Sequence, residues 1–323
     1  MWTNFFVGPD TYPNAQSAVA VGADGGVFVT GASKGGNGYT DFLTVKYSSS
    51  GLLLWTNRYN GPGDYADIPA GIALDSTGNV FVTGVSYGNG TGFDFATIGY
   101  SAAGAPLWTN RYNGLGNDWD YAKAIAVNDG GDVFVAGDSP SLLGGPPRIT
   151  TVAYSGAGGV LWTNFYTGGT GDDEVAAMAI GKSGDVFVTG HSVGPGTSSD
   201  YVTIKYSRLG LPLWTNRYDG PASSADYPTA IAGAQNGDVF VTGSSPGNGS
   251  GWDFATIKYS ILEPIPLRIQ KVGHQFVLTW TKSAFGLQSA SEVSGGFTNI
   301  PDATSPFTNS LTGSQQFFRL ISN

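Results

Sequence analysis

A Val-Phe-Val-x-Gly segment opens at Val27, Val80, Val133, Val186 and Val239, each copy 53 residues after the last. A spacing without drift means that each copy belongs to one supersecondary unit, which stacks on its neighbours because it cannot bury its apolar faces alone. A second marker travels with the first, Trp-Thr-Asn at Trp2, Trp55, Trp108, Trp162 and Trp214. The units fill residues 1–261 and the period ends there.

Within the second unit, Ile72-Ala73-Leu74 and Val80-Phe81-Val82-Thr83 are short, apolar and split by the turn cluster 75–79, which predicts a hairpin. A Gly-rich loop follows, then residues 94–100 and 106–112 as two further strands. The first two strands show no polar alternation, so both of their faces must be covered. A four-stranded sheet lying between copies of itself is a propeller blade. Residues 1–6 read as a fourth strand alone and residues 228–260 as the first three strands of a unit. Pairing the two segments completes a fifth blade and removes the exposed sheet edge. The expected fold is all-β: a five-bladed β-propeller of four-stranded antiparallel blades closed by the N-terminal strand, plus a small C-terminal β-sandwich over residues 262–323.

The strings Gly-Asp-Val-Phe-Val-Thr-Gly (184–190), Asp-Phe-Ala-Thr-Ile-Lys-Tyr-Ser (253–260) and Leu-Trp-Thr-Asn-Arg-Tyr-Asn-Gly (107–114) resemble the bacterial SBBP repeat, the seven-bladed β-propeller repeat family. The resemblance covers about four fifths of the chain. It implies a secreted or surface propeller and assigns no catalytic residues. The family's name implies seven blades, so five copies fit either a five-bladed ring or part of a longer array.

Beyond Ser260, Glu263-Pro264-Ile265-Pro266 reads as a stiff linker, because each Pro fixes its own φ and restrains the residue before it. Candidate strands at 267–270, 275–281, 285–289, 297–300 and 316–321 suggest a fibronectin- or immunoglobulin-like accessory module. Its tail is similar to C-terminal modules of large bacterial secreted proteins.

A net charge of −9 with fifteen scattered basic residues argues against a nucleic-acid partner. No apolar run reaches membrane-spanning length, so membrane insertion is not expected. The surface must be made largely of Gly, Ser, Thr, Asn and Tyr, which places the chain with extracellular or cell-surface β proteins. No signal peptide is visible before Trp2. A monomer is expected.

Steps of 53 place Asn14, Asp67, Asp120, Asp173 and Asp226 at one equivalent position, just before the first strand of each unit. Converging carboxylates there would hold a cation or sugar hydroxyls at the channel mouth. The alternative is that each caps local backbone N–H groups. No calcium-loop spacing is present, and neither a metal nor any other cofactor is assigned. With no Cys, and with His191 and His274 in different domains, nucleophilic catalysis has no partner pattern. Glu174, beside Asp173, is the one Glu within the repeats and replaces Ile68, Tyr121 and Tyr227. The two are the candidates for catalysis, since acid and nucleophile must occupy unequal environments. The repeated Trp residues either wedge between blades or offer sugar platforms, and wedging suits residues identical in every copy. The variable loop aromatics Tyr39, Tyr87, Phe93, Trp119 and Trp252 are the better ligand candidates.

The leading expectation is a non-enzymatic extracellular propeller that binds a protein or polysaccharide. Its rivals are a carbohydrate-active hydrolase or lyase at the channel mouth and a structural spacer within a larger surface protein.

Overall fold

The computed structural model describes residues 1–6, 15–169, 171–194, 198–234, 236–260, 267–273, 275–281, 285–292, 296–310 and 316–322. Asn14, His274 and the Pro-rich stretch 263–266 lie outside them. The chain divides into two compact units, 1–260 and 261–323.

The first unit is built of antiparallel sheets whose strands follow chain order. Blade one comprises β1 (Ala15–Val21), β2 (Val27–Lys34), β3 (Thr40–Tyr47) and β4 (Leu53–Tyr59). Blade two is β5 (Asp67–Leu74), β6 (Val80–Tyr87), β7 (Phe93–Tyr100) and β8 (Pro106–Tyr112). Blade three is β9 (Tyr121–Val127), β10 (Val133–Pro140), β11 (Pro147–Tyr154) and β12 (Val160–Tyr166). Blade four is β13 (Asp173–Ile180), β14 (Val186–Val193), β15 (Ser199–Tyr206) and β16 (Pro212–Tyr218). The fifth sheet holds three strands, β17 (Tyr227–Gly233), β18 (Val239–Gly247) and β19 (Gly251–Tyr259).

The Val-Phe-Val triplet is apolar throughout because its residues serve two interfaces. Phe28 packs with Phe42 onto Val80 and Val82 of the next blade, and Phe81 with Phe95 onto Val133 and Val135 in the same way. Each Phe therefore faces forward while the flanking Val residues receive the Phe of the blade behind. Burying one such side chain contributes about 2 kcal/mol.

The Trp residues wedge between blades. Trp55 Nε1 donates to Ala102 O at 3.2 Å and Trp108 Nε1 to Gly156 O at 2.8 Å, while Asn57 and Asn110 bond Gly104 O and Gly158 O, both at 2.7 Å. The indoles lie on the third-to-fourth-strand turns of the following blade. There a Cβ on Gly104 or Gly158 would stand only 2.8 and 2.7 Å from the ring. These glycines also have φ of +86°, so two independent demands exclude any other residue.

The expected closure of the ring is not made. Residues 1–6 form no strand, and among the described residues the fifth sheet has three strands. Trp2 nevertheless takes the Trp55 role toward blade one, donating to Ser49 O at 3.0 Å, with Asn4 on Gly51 O at 2.7 Å. Side-chain docking onto the following blade needs only those two bonds, whereas closure needs the first and last sheets to meet. They do not: Val19 and Val21 on β1 are exposed, and Phe254 on β19 is 97% exposed where its counterparts Phe42 and Phe95 are 1%.

The second unit contains two three-stranded sheets. One is β20 (Arg268–Val272), β21 (Gln275–Thr279) and β24 (Phe307–Ser310), and the other β23 (Thr298–Asn299), β22 (Phe285–Ala290) and β25 (Phe317–Ser322). Phe276, Leu278, Trp280 and Leu287 share one core with Phe307, Phe318 and Leu320. Strand β24 was not expected from the sequence.

Candidate functional site

Each inner strand carries a β-bulge at the same place, visible as a register slip between Pro69 and Gly71, Ala122 and Ala124, Val175 and Ala177, and Pro228 and Ala230. The bulged residue is Ala70, Ala176 or Thr229 in three sheets and Lys123 in blade three. A bulge re-aims its side chain out of the ladder, and here it carries an ammonium toward the neighbouring blade. Lys123 Nζ meets Glu174 Oε2 of blade four at 2.8 Å and also pairs with Asp138 Oδ2 of its own blade. Asp138 Oδ1 in turn accepts from Val175 N at 2.7 Å. Glu174 lies directly across the ladder from His191.

Four charged or titratable side chains thus meet in columns where the other copies carry Ala, Val, Ile, Ser, Thr or Tyr. Burial pushes the Asp138 carboxyl up to about 6, against the pull of Lys123. Burial also raises Glu174, but the Lys123 hydrogen bond and charge more than offset it and hold the carboxyl below its ordinary range. Burial lowers His191, with Glu174 opposing, so the imidazole is neutral at pH 7. The two carboxylates on one ammonium are therefore driven in opposite directions.

Around this cluster the loop aromatics form a strip. Ring centroids step from Tyr39 to Tyr65 at 4.2 Å, to Tyr87 at 5.0 Å, to Phe93 at 5.3 Å and to Trp119 at 5.7 Å. Trp119 and Tyr121 then line a cavity of about 380 Å³ with Asp118, Lys123, Asp138, Pro140, Pro147 and Glu174. Beyond Glu174, its ladder partner His191 packs edge-on against Tyr227 at 5.0 Å, and Tyr227 faces Trp252 at 6.0 Å. Trp119 and Trp252 are 54% and 60% exposed, so their ring faces are open to a ligand. Two larger cavities, about 520 and 500 Å³, lie among the Gly-rich hairpin turns, where Asp24 and Asp75 are engaged in capping Gly26 N and Thr77 N.

Of the residues singled out from sequence, Trp119, Trp252 and Glu174 are on this strip. Asp67, Asp120, Asp173 and Asp226 are not: all four are fully buried. Each accepts a backbone N–H from the incoming loop, Gly61, Gly114, Gly168 and Gly220, at 2.6–2.7 Å. Asp173 is thus held apart in role from its neighbour Glu174. Lys123, Asp138, His191, Tyr65, Tyr121 and Tyr227 were missed as site residues. Lys123 and Asp138 carry the same signal as Glu174, a charge in a repeat column that is otherwise uncharged, except for the neutral His191 in the Asp138 column.

Residues 54–91 match the SBBP β-propeller repeat. The matched stretch runs from β4 through β6 in the first unit, which thus carries a β-propeller repeat. No curated protein matches the chain. Solved structures that resemble it include the β-propeller domain of the Trilobed protease from Pyrococcus furiosus, 7% identical, covering 90% of this chain and 84% of that one at a TM-score of 0.48. The polysaccharide lyase Uly1 is 11% identical, with 99% and 92% covered and a TM-score of 0.47. The periplasmic gluconolactonase PpgL of Pseudomonas aeruginosa is 14% identical, with 96% and 88% covered and a TM-score of 0.45. The first of these is itself a β-propeller domain, and the activities in all three names belong to those proteins.

Proposed function

We propose that this propeller binds an extended polysaccharide along the aromatic strip, outside the cell or at its surface. The observation that carries the reading is the continuity of the strip from Tyr39 in blade one, through the cavity at Glu174, to Trp252 on the fifth sheet. Sugar rings present C–H faces that stack on aromatic side chains, and their hydroxyls need donors and acceptors at intervals. Lys123, Asp138 and Glu174 supply these at the centre. Residues spread over successive blades suit a repeating ligand, because linked contacts multiply affinity where the ligand spans them. The C-terminal unit fits an accessory, fibronectin-like module.

Affinity electrophoresis against neutral and acidic polysaccharides tests this. Trp119→Ala and Trp252→Ala are each expected to weaken binding about tenfold, the loss of about 1.4 kcal/mol, with the melting temperature unchanged. Full retention in the double variant would remove the strip from the account.

One observation favours an enzyme instead, the opposite shifts of Asp138 and Glu174. A carboxyl raised to about 6 beside one held below its ordinary range is the kind of unequal pair used in glycosidic cleavage. On that reading Asp138 is the acid and Glu174 the base or nucleophile, and Glu174→Gln abolishes turnover while leaving binding intact.

A further inference from the structure

We propose that Asp200, Asp219 and Asp226 hold a calcium ion at the junction between blade four and the fifth sheet. One oxygen from each carboxylate lies within 4.8 Å of the others. Two oxygens bound to one calcium at about 2.3–2.6 Å stand up to about 5 Å apart, so this spacing is compatible with a shared ion.

Each buried carboxylate has spent one oxygen and kept the other. Asp200 Oδ2 pairs with Arg217 at 2.9 Å, and Asp226 Oδ2 accepts from Gly220 N at 2.7 Å. Oδ1 of both is buried without a partner, as it also is at Asp41, Asp67, Asp94, Asp120 and Asp173 in the other junctions. A residue outside the acidic group points to the same place. Ser245 is 3% exposed and its hydroxyl has no partner. It converges with Asp226 Oδ1 on Gly220, where a Cβ would stand 2.1 Å from the hydroxyl and 2.7 Å from the carboxylate. The corresponding Ser86 and Ser192 each receive a guanidinium, from Arg111 and Arg217, whereas Ser139, in the blade with no arginine at that register position, is open as Ser245 is. A buried hydroxyl and two buried carboxylate oxygens left open together form an oxygen-only set suited to a hard cation.

The other junctions supply the contrast. Asp41 and Asp67 stand with Asn60, and Asp94 and Asp120 with Asn113, an amide where the fourth junction has Asp219. Those junctions set two carboxylates against one arginine, Arg58 or Arg111. The fourth sets three against Arg217. A divalent cation offsets that excess charge. Calcium rather than magnesium is the choice, because calcium accepts a variable set of oxygen ligands, whereas magnesium demands near-ideal octahedral geometry.

The test uses the full chain stripped with chelator. Calcium titrated by calorimetry is expected to bind at one site and raise the melting temperature. Asp219→Asn is expected to weaken binding at least tenfold while leaving the metal-free melting temperature unchanged or higher, since the repeat itself places Asn at 60 and 113. Ser245→Ala is expected to weaken binding less. Absence of calcium-dependent heat and of a melting shift overturns the site, as does a calcium response that Asp219→Asn leaves intact. An equal response to magnesium overturns the assignment to calcium.

Discussion

Blades two and three build the same buried polar row from different residues. In blade two it runs Asp67, Ser86, Asp94, Arg111, one residue from each strand, with the guanidinium bonded to Ser86 and Asp94 and also to Tyr59 of the preceding blade. In blade three the strand partner of Ser139 is Arg148, where Ser86 has Asp94. Phe165 takes the register position of Arg111. The Arg148 guanidinium lies 3.9 Å from the Phe165 ring centroid and is among the groups acting on the Tyr112 phenol, as Arg111 acts on Tyr59. A guanidinium is kept beside the tyrosine of the preceding blade while the strand that supplies it changes. The repeat thus demands a charge in a place, and the place can be reached from either of two adjacent strands.

The two rows differ in what each arginine neutralises, and that difference can be measured. Arg111→Ala leaves Asp94, 3% exposed, without its cation, and is expected to cost about 3–5 kcal/mol in denaturant unfolding. A loss under 1 kcal/mol would show that the pair is not needed to keep Asp94 buried.

A second expectation concerns the carboxylates that open the rows. Burial raises Asp67, and Arg111 is one of the groups that pulls it back; burial carries Asp120 to about 6. The folded Asp120 therefore keeps a proton that the unfolded chain, near about 3.9, releases, so its contribution makes stability fall as pH rises from about 4 to about 6. Asp120→Asn removes that fall, and its stability relative to the parent should rise across the window by up to about 3 kcal/mol. Parallel curves for the two proteins would place the Asp120 carboxyl at an ordinary value.

The smallest effect is expected at Arg148. Its Nε and Nη2 have no partner, so Arg148→Ala strands no carboxylate and loses mainly the contacts with Phe165 and Tyr112, about 1 kcal/mol or less. A cost equal to that of Arg111→Ala would make the two rows equivalent after all.

The same logic explains which site residues could be read in advance. Glu174 stood out because one column of the repeat changed from apolar to acidic, and the loop aromatics stood out as variable residues between constant strands. His191 looked like a tolerated substitution because its column already held Ala32, Val85, Asp138 and Ser244. Its surroundings, among them the ladder partner Glu174, the edge contact with Tyr227 and the charge of Lys123, come from the tertiary structure. Lys123 was hidden further, since its reach to blade four depends on the bulge that turns it out of β9.

The sequence by itself determined the unit, its four strands, the Gly positions with positive φ and the wedging Trp, because each is a local demand repeated in every copy. Whether the first and last sheets meet was decided only in three dimensions. That outcome depends on the rotation accumulated over successive interfaces, to which every blade contributes and which no single residue encodes. The meeting of Lys123, Asp138, Glu174 and His191 was likewise a tertiary matter, since it joins departures from the repeat that fall in two different blades.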